Sequence, residues 1–157
     1  MNRGRVRGSE LRMTKDTVDF ELRVRYAETD KMGVAYYANY FVWFEVGRAE
    51  LCRKKGFCYA DLESLGYILV VTDAHCHYRN PARYDETIII RTRLKEMNKR
   101  MITFGYQLLR KGKEKEEVLA EGETRHLSIG PDGKPKSLPE KFLKLMGYES
   151  PSHLRGS

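Results

Sequence analysis

Asp30 is the side chain whose neighbourhood offers the most chemistry. It stands in the segment Thr29-Asp30-Lys31-Met32-Gly33, ahead of a helix expected to open at Asn39. A helix N-terminus presents free N–H groups and the positive end of the helix dipole, an arrangement that stabilises an oxyanion. A carboxylate beside such amides can attack a carbonyl carbon or activate water against it. Thr-Asp ahead of a glycine-containing loop also serves as an ordinary turn or cap, and the residues alone leave both readings open.

Other chemistry-bearing side chains offer less. Glu45 and Arg48 lie three apart on the expected helix, on one face, where an ion pair is the simplest reading and ordering water across a subunit boundary the other. His75 and His77 project from one side of an expected strand with Cys76 opposite, so the three cannot jointly bind a metal, and no metal is expected. His77 is either near a substrate or satisfied by packing. Cys58 has nothing local to activate its thiol and reads as packing. Cys52, Cys58 and Cys76 are odd in number and lack C-x-x-C spacing, as expected of reduced thiols in a cytoplasmic protein.

The elements that must hold these residues are legible from periodicity. Val18, Phe20, Leu22 and Val24 alternate with Asp19, Glu21, Arg23 and Arg25, which predicts a half-buried strand over Thr17 to Arg25. Asn39 is placed to cap a helix running to about Lys55, where Arg53, Lys54 and Lys55 meet the negative dipole end and Gly56 stops it. Its first half, Tyr40-Phe41-Val42-Trp43-Phe44, is apolar all round and must be wrapped by other structure. Gly47 costs about 1 kcal/mol of helix propensity there, which makes sense if a sheet approaches closely. A short helical patch near Asp61 to Leu65 precedes strands at Tyr67 to Asn80, Thr87 to Met97, Met101 to Arg110 and Val118 to Ile129. Short turns at Pro81-Ala82, Asn98-Lys99 and Lys111-Gly112-Lys113 favour antiparallel pairing of consecutive strands, and Leu138 to Met146 is a terminal helix opened by Ser137 and Pro139. The fold class is α+β, a five-stranded antiparallel sheet around a long central helix with a C-terminal helix.

The net charge of +7 invites a nucleic-acid reading, but its distribution argues otherwise. Residues 1–15 hold five basic side chains against Glu10, whereas the body from Asp16 to Glu149 has 23 basic against 21 acidic. A near-neutral body is no general polyanion binder. Residues 1–15 and 150–157 read as disordered tails around one domain at 16–149, with no secretory signal or membrane-spanning run expected.

The stretch from Tyr26 to Tyr40, Tyr-Ala-Glu-Thr-Asp-Lys-Met-Gly-Val-Ala-Tyr-Tyr-Ala-Asn-Tyr, with Glu45 to Arg48 and Glu50-Leu51 after it, resembles the 4-hydroxybenzoyl-CoA thioesterase family. The likeness continues through His77-Tyr-Arg-Asn-Pro-Ala-Arg-Tyr-Asp-Glu86 and covers roughly Asp19 to Leu145. It implies a hot-dog fold and hydrolysis of a coenzyme A thioester to free CoA and a carboxylic acid, with no cofactor beyond the CoA of the substrate. Asp30 falls where that family has its nucleophile or general base, and the amides of Tyr37 and its neighbours where the thioester oxygen is held. Relatives of the Tol-Pal-associated type often carry histidine at the position of Tyr37 and tyrosine at that of Tyr26; here Tyr26 is kept and the histidine is not, which leaves Tyr37 only its backbone role. A departing thiolate, with a thiol pKa near 8.5, needs no strong general acid, so the lack of a Ser-His-Asp set is no objection.

Gly33, Val34, Tyr36, Tyr40, Glu45 and His77 are the implied neighbours of the acyl group, and Arg79, Arg83 and the Asn98-Lys99-Arg100 turn are candidates for the coenzyme phosphates, the turn being equally readable as solvated. The resemblance implies a homo-oligomer, dimer or tetramer, with the site between subunits, and open sheet edges suit that. A noncatalytic acyl-CoA or acyl-carrier binding module, a basic RNA-associated protein and a hot-dog dehydratase are the rival readings.

Overall fold

In the computed structural model, residues 17–149 are described, and the two tails read as disordered lie outside them. The elements in chain order are β1 (Val18–Arg23), a 3-10 turn at Tyr26–Glu28, α1 (Asn39–Lys55), α2 (Tyr59–Ser64), β2 (Ile68–Tyr78), β3 (Thr87–Met97), β4 (Met101–Arg110), β5 (Glu117–Ile129) and α3 (Glu140–Leu145). The sheet order is β1-β3-β4-β5-β2, every neighbouring pair antiparallel.

α1 lies on the inner face of this sheet. Trp43, Phe44, Leu51 and Cys52 are buried there, and Phe44 stacks on Tyr106 of β4 with ring centroids 4.3 Å apart. Burial of each large apolar side chain contributes on the order of 2 to 3 kcal/mol. Gly47 makes the approach possible: a Cβ there would stand 2.3 Å from Thr92 Oγ1 and 2.6 Å from Ile90 Cγ2 of β3. The outer face carries ion pairs, Arg91 of β3 with Asp19 of β1, and Lys111 and Arg79, just past the ends of β4 and β2, with Glu21 and Glu121.

Three expectations need correction. β2 does not pair with β3; it sits at the far edge on β5, because its register with Leu127 to Ala120 places it there. Residues 79–86 therefore run from the β2 edge across β5 and β4 to β3, past the hairpin that carries Asp30. Asn39 is not the cap of α1 but its first residue, Ala38 occupying the cap, because the Asn39 amide instead donates to the Glu28 carbonyl at 2.8 Å. And α1 is not wrapped all round: Val42 is 47% exposed, with Ala38 and Glu45 on the same open face. The short helices are displaced slightly, α2 starting at Tyr59, where Cys58 N–H donates to Asp61 Oδ2, and α3 at Glu140 behind Pro139.

Candidate active site

The chain between β1 and α1 folds into a small hairpin. Gly33 N–H donates to the Asp30 carbonyl at 3.0 Å, Asp30 N–H donates to the Val34 carbonyl at 2.9 Å, and Thr29 bridges Ala35. Gly33 has a φ of 78°, the left-handed conformation that lets the turn close. Asp30 Oδ1 accepts from Met32 N–H at 2.8 Å, and among the described residues its other oxygen has no hydrogen-bond partner. The half-buried carboxylate is thus oriented through one oxygen and available through the other.

The hairpin is pinned on two sides. Ala35 N–H donates to Ala82 O at 2.8 Å and Val34 bridges Arg83, which ties it to the crossing connection. Glu28 ties it to α1. Its carbonyl accepts from Tyr36 N–H at 2.8 Å as well as from Asn39 Nδ2, and its carboxylate accepts from Arg25 N–H at 2.8 Å and from Trp43 Nε1 at 3.0 Å. Burial alone would raise the Glu28 pKa, but these bonds and the Arg25 guanidinium outweigh it and hold the carboxyl below its ordinary value.

At the entry to α1 the backbone turns tightly. Asn39, Tyr40 and Phe41 N–H donate to the carbonyls of Tyr36, Tyr37 and Ala38 at 2.9, 3.2 and 3.2 Å. Among the described residues this leaves the amides of Tyr37 and Ala38 without an acceptor. Two free N–H groups at the start of a 17-residue helix form a site for developing negative charge.

The other expected site residues divide. Tyr36 and Tyr37 are exposed beside those amides, their rings 4.7 Å apart. Tyr26 is 77% exposed and packs edge-on against Tyr84, with its carbonyl accepting from Thr29. Tyr40 is not exposed beside those amides: it is buried, its hydroxyl accepts from Ala82 N–H at 3.1 Å, and burial raises its pKa. Glu45 is exposed on the open face of α1 and makes no ion pair with Arg48, because Arg48 turns inward to Tyr106 and Tyr59. His77 lies opposite Glu121, on the outer side of the strand from Tyr78, and so faces away from Asp30. Arg79 is engaged by Glu121 through Nε and Nη2 at 3.0 and 2.8 Å.

Within one chain, the Asn98-Lys99-Arg100 turn lies at the opposite end of β3 from Asp30. β3 has 11 residues, roughly 30 Å of strand, and the Asp30 hairpin adjoins its start whereas the turn follows its end. Asn98 Oδ1 closes that turn by accepting from Arg100 and Met101 N–H. Among the described residues no group of three or more His, Cys, Asp or Glu could hold a metal, and burial pushes the Cys52 and Cys76 thiols up to about 12 and about 11, away from reactivity. No helix among the described residues is long and apolar enough to cross a membrane.

Comparison with known proteins places this geometry. The family model of the Thioesterase-like superfamily matches residues 24–145. The chain belongs to that superfamily. The chain is similar to a Bacillus subtilis protein provisionally named an acyl-CoA thioesterase, YneP, 43% identical over 56% of this chain and 64% of its own length. The chain thus spans just under two thirds of that relative. The acyl-CoA thioester hydrolase YbgC of Escherichia coli is 28% identical over 78% of this chain and 90% of its own. The solved DHNA-CoA thioesterase of Staphylococcus aureus is 37% identical, covers 77% of this chain and 80% of its own, and superposes with a TM-score of 0.72. The thioesterase fold follows: the five-stranded sheet curled on α1 is the hot-dog fold.

Glu28 and Tyr78 make the long-range bonds of this region, and the motif assigned a role to neither. Arg25-x-x-Glu28 has capping-box spacing, a local signal for Glu28. Nothing local marks Tyr78, whose hydroxyl donates to the Tyr37 carbonyl at 2.9 Å.

Proposed function

We propose that this protein hydrolyses acyl-CoA thioesters, with Asp30 as the catalytic carboxylate and the Tyr37 and Ala38 amides as the oxyanion site. One observation carries the reading: a carboxylate with a free oxygen is held by a hairpin that is itself bonded to the start of α1, where two amides lack acceptors. As a general base, Asp30 takes a proton from water while the water oxygen bonds to the carbonyl carbon. The electron pair moved onto the carbonyl oxygen is met by the amides, and its return breaks the C–S bond. The CoA thiolate leaves and recovers the proton, and the acyl group departs as a carboxylic acid. As a nucleophile, Asp30 instead forms an acyl anhydride that water cleaves. Neither route needs a cofactor.

Gly33, Val34, Tyr36 and Tyr37 line the approach to the amides in this reading, and Tyr26 borders it. The open face of α1 with Val42, and the edge strand β2 with Ile68 and Val71 at 49% and 52% exposure, are surfaces that a second copy would cover. In such a homodimer or homotetramer the Asn98-Lys99-Arg100 turn would serve a site whose Asp30 belongs to another copy. Three unpaired cysteines support a cytoplasmic setting.

The test is thiol release from short, long and aromatic acyl-CoAs by the wild type and by Asp30→Asn. Turnover by the wild type and a fall of about 100-fold or more in the variant, about 2.7 kcal/mol of transition-state stabilisation, is the expected result. CoA binding without release from any thioester would sink the hydrolase and favour a noncatalytic binding module.

A further inference from the structure

The Tyr37 carbonyl accepts two hydrogen bonds, from Tyr40 N–H at 3.2 Å in the first turn of α1 and from the Tyr78 hydroxyl at 2.9 Å. That carbonyl and the Ala38 N–H belong to one planar peptide unit and point in opposite directions. Whatever fixes the carbonyl therefore aims the free N–H. The Tyr40 bond is an ordinary helical contact, whereas the Tyr78 bond comes from β2, 41 residues along the chain. The phenol is itself held: its ring meets Tyr40 edge-on at 4.9 Å and Tyr37 edge-on at 6.3 Å, and Tyr40 is anchored through its hydroxyl to Ala82 N–H. A donor at the carbonyl also polarises the amide and strengthens the opposite N–H by roughly 10 to 30%. Burial, with the neighbouring Cys76, raises the Tyr78 pKa, so the phenol stays protonated and able to donate.

We propose that Tyr78 is a positioning residue for the oxyanion site: its hydroxyl, presented by the edge strand β2, fixes and polarises the peptide whose Ala38 N–H receives the thioester oxygen. The inference rests on the hydrolase reading above, and it makes the sheet edge, as well as the helix, part of the catalytic apparatus. It also joins the integrity of β2 to turnover.

Tyr78→Phe removes the hydroxyl and keeps the ring contacts. On the acyl-CoA turned over best by the wild type, kcat should fall about 10-fold with KM within about twofold, short of the 10²–10³ lost when an oxyanion donor is removed outright. The Ala38 amide resonance should shift in the same variant without ligand, which reads the peptide directly. Replacement of Tyr78 by 3-fluorotyrosine, which keeps the donor, should retain wild-type kcat. An unchanged kcat in Tyr78→Phe, beside an inactive Asp30→Asn, would overturn the role of Tyr78 alone. So would an unmoved Ala38 resonance, or an equal loss in the fluorotyrosine protein. No thiol release by the wild type would overturn this inference together with the hydrolase reading.

Discussion

Glu28→Gln isolates the residue that joins the Asp30 hairpin to α1. The substitution keeps Oε1, which accepts from Arg25 N–H at 2.8 Å, and puts an NH2 group where Oε2 accepts from Trp43 Nε1 at 3.0 Å. Trp43 is 1% exposed and has no water to turn to, so its indole N–H is left facing another donor. An orphaned buried donor costs about 1 to 3 kcal/mol, which at 2 to 4 °C per kcal/mol for a domain of this size is a fall in Tm of about 2 to 12 °C. Thermal unfolding at fixed protein concentration and pH 7 measures it, since any oligomer makes Tm concentration-dependent. The wild-type carboxyl also has a pH signature. Its folded pKa lies below the free value near 4.3, so its contribution is present above that value and is lost as pH falls through the folded pKa. The Glu28→Gln protein should lack this loss, and its kcat should fall because the hairpin and the free amides no longer share an anchor. In a Trp43→Phe background, where the donor is gone, the added penalty of Glu28→Gln should shrink by about 1 kcal/mol or more. A Glu28→Gln protein with wild-type Tm and kcat would refute the anchor.

Two further outcomes follow from the core. Gly47→Ala should destabilise by about 1 to 3 kcal/mol in urea unfolding, despite alanine's better helix propensity, because its Cβ would meet Thr92 Oγ1 at 2.3 Å; an equal or higher midpoint would refute the close approach. His126 is 1% exposed and its pKa is lowered to about 4, first by burial and then by Arg48. The unfolded chain binds this proton more readily, so stability should decrease as pH falls from about 6.5 to about 4, by on the order of 3 kcal/mol, and the imidazole resonances should titrate near pH 4 rather than 6.5.

The site was only partly legible beforehand. Asp30 and the Tyr37 amide, the proposed carboxylate and oxyanion donor, stand in a motif that is continuous in the chain, and the turn at Gly33 lies inside it. The partners that make them a site are not marked there. Glu28 meets Trp43 15 residues on, and Tyr78 meets Tyr37 41 residues back. Both contacts depend on which strand edge and helix face are brought together. Tyr40 and His77 share the motif's neighbourhood yet fall in the core and on the outer face, because helical and strand periodicity set direction residue by residue.

The sequence alone determined the C-terminal end of α1 and the bounds of β3 and β4, since 3.6- and 2-residue periodicity, a terminating Gly56 and short turns act within a few residues. It also marked Gly47 as a point where a sheet could approach closely. Only the tertiary structure decided that β2 crosses to the β5 edge, that α1 keeps one face open, and that the Asn98 turn lies far from Asp30 in the same chain. Those are questions of which long segments close on one another, and closure is governed by the packing of the whole sheet on α1 rather than by any local run of residues.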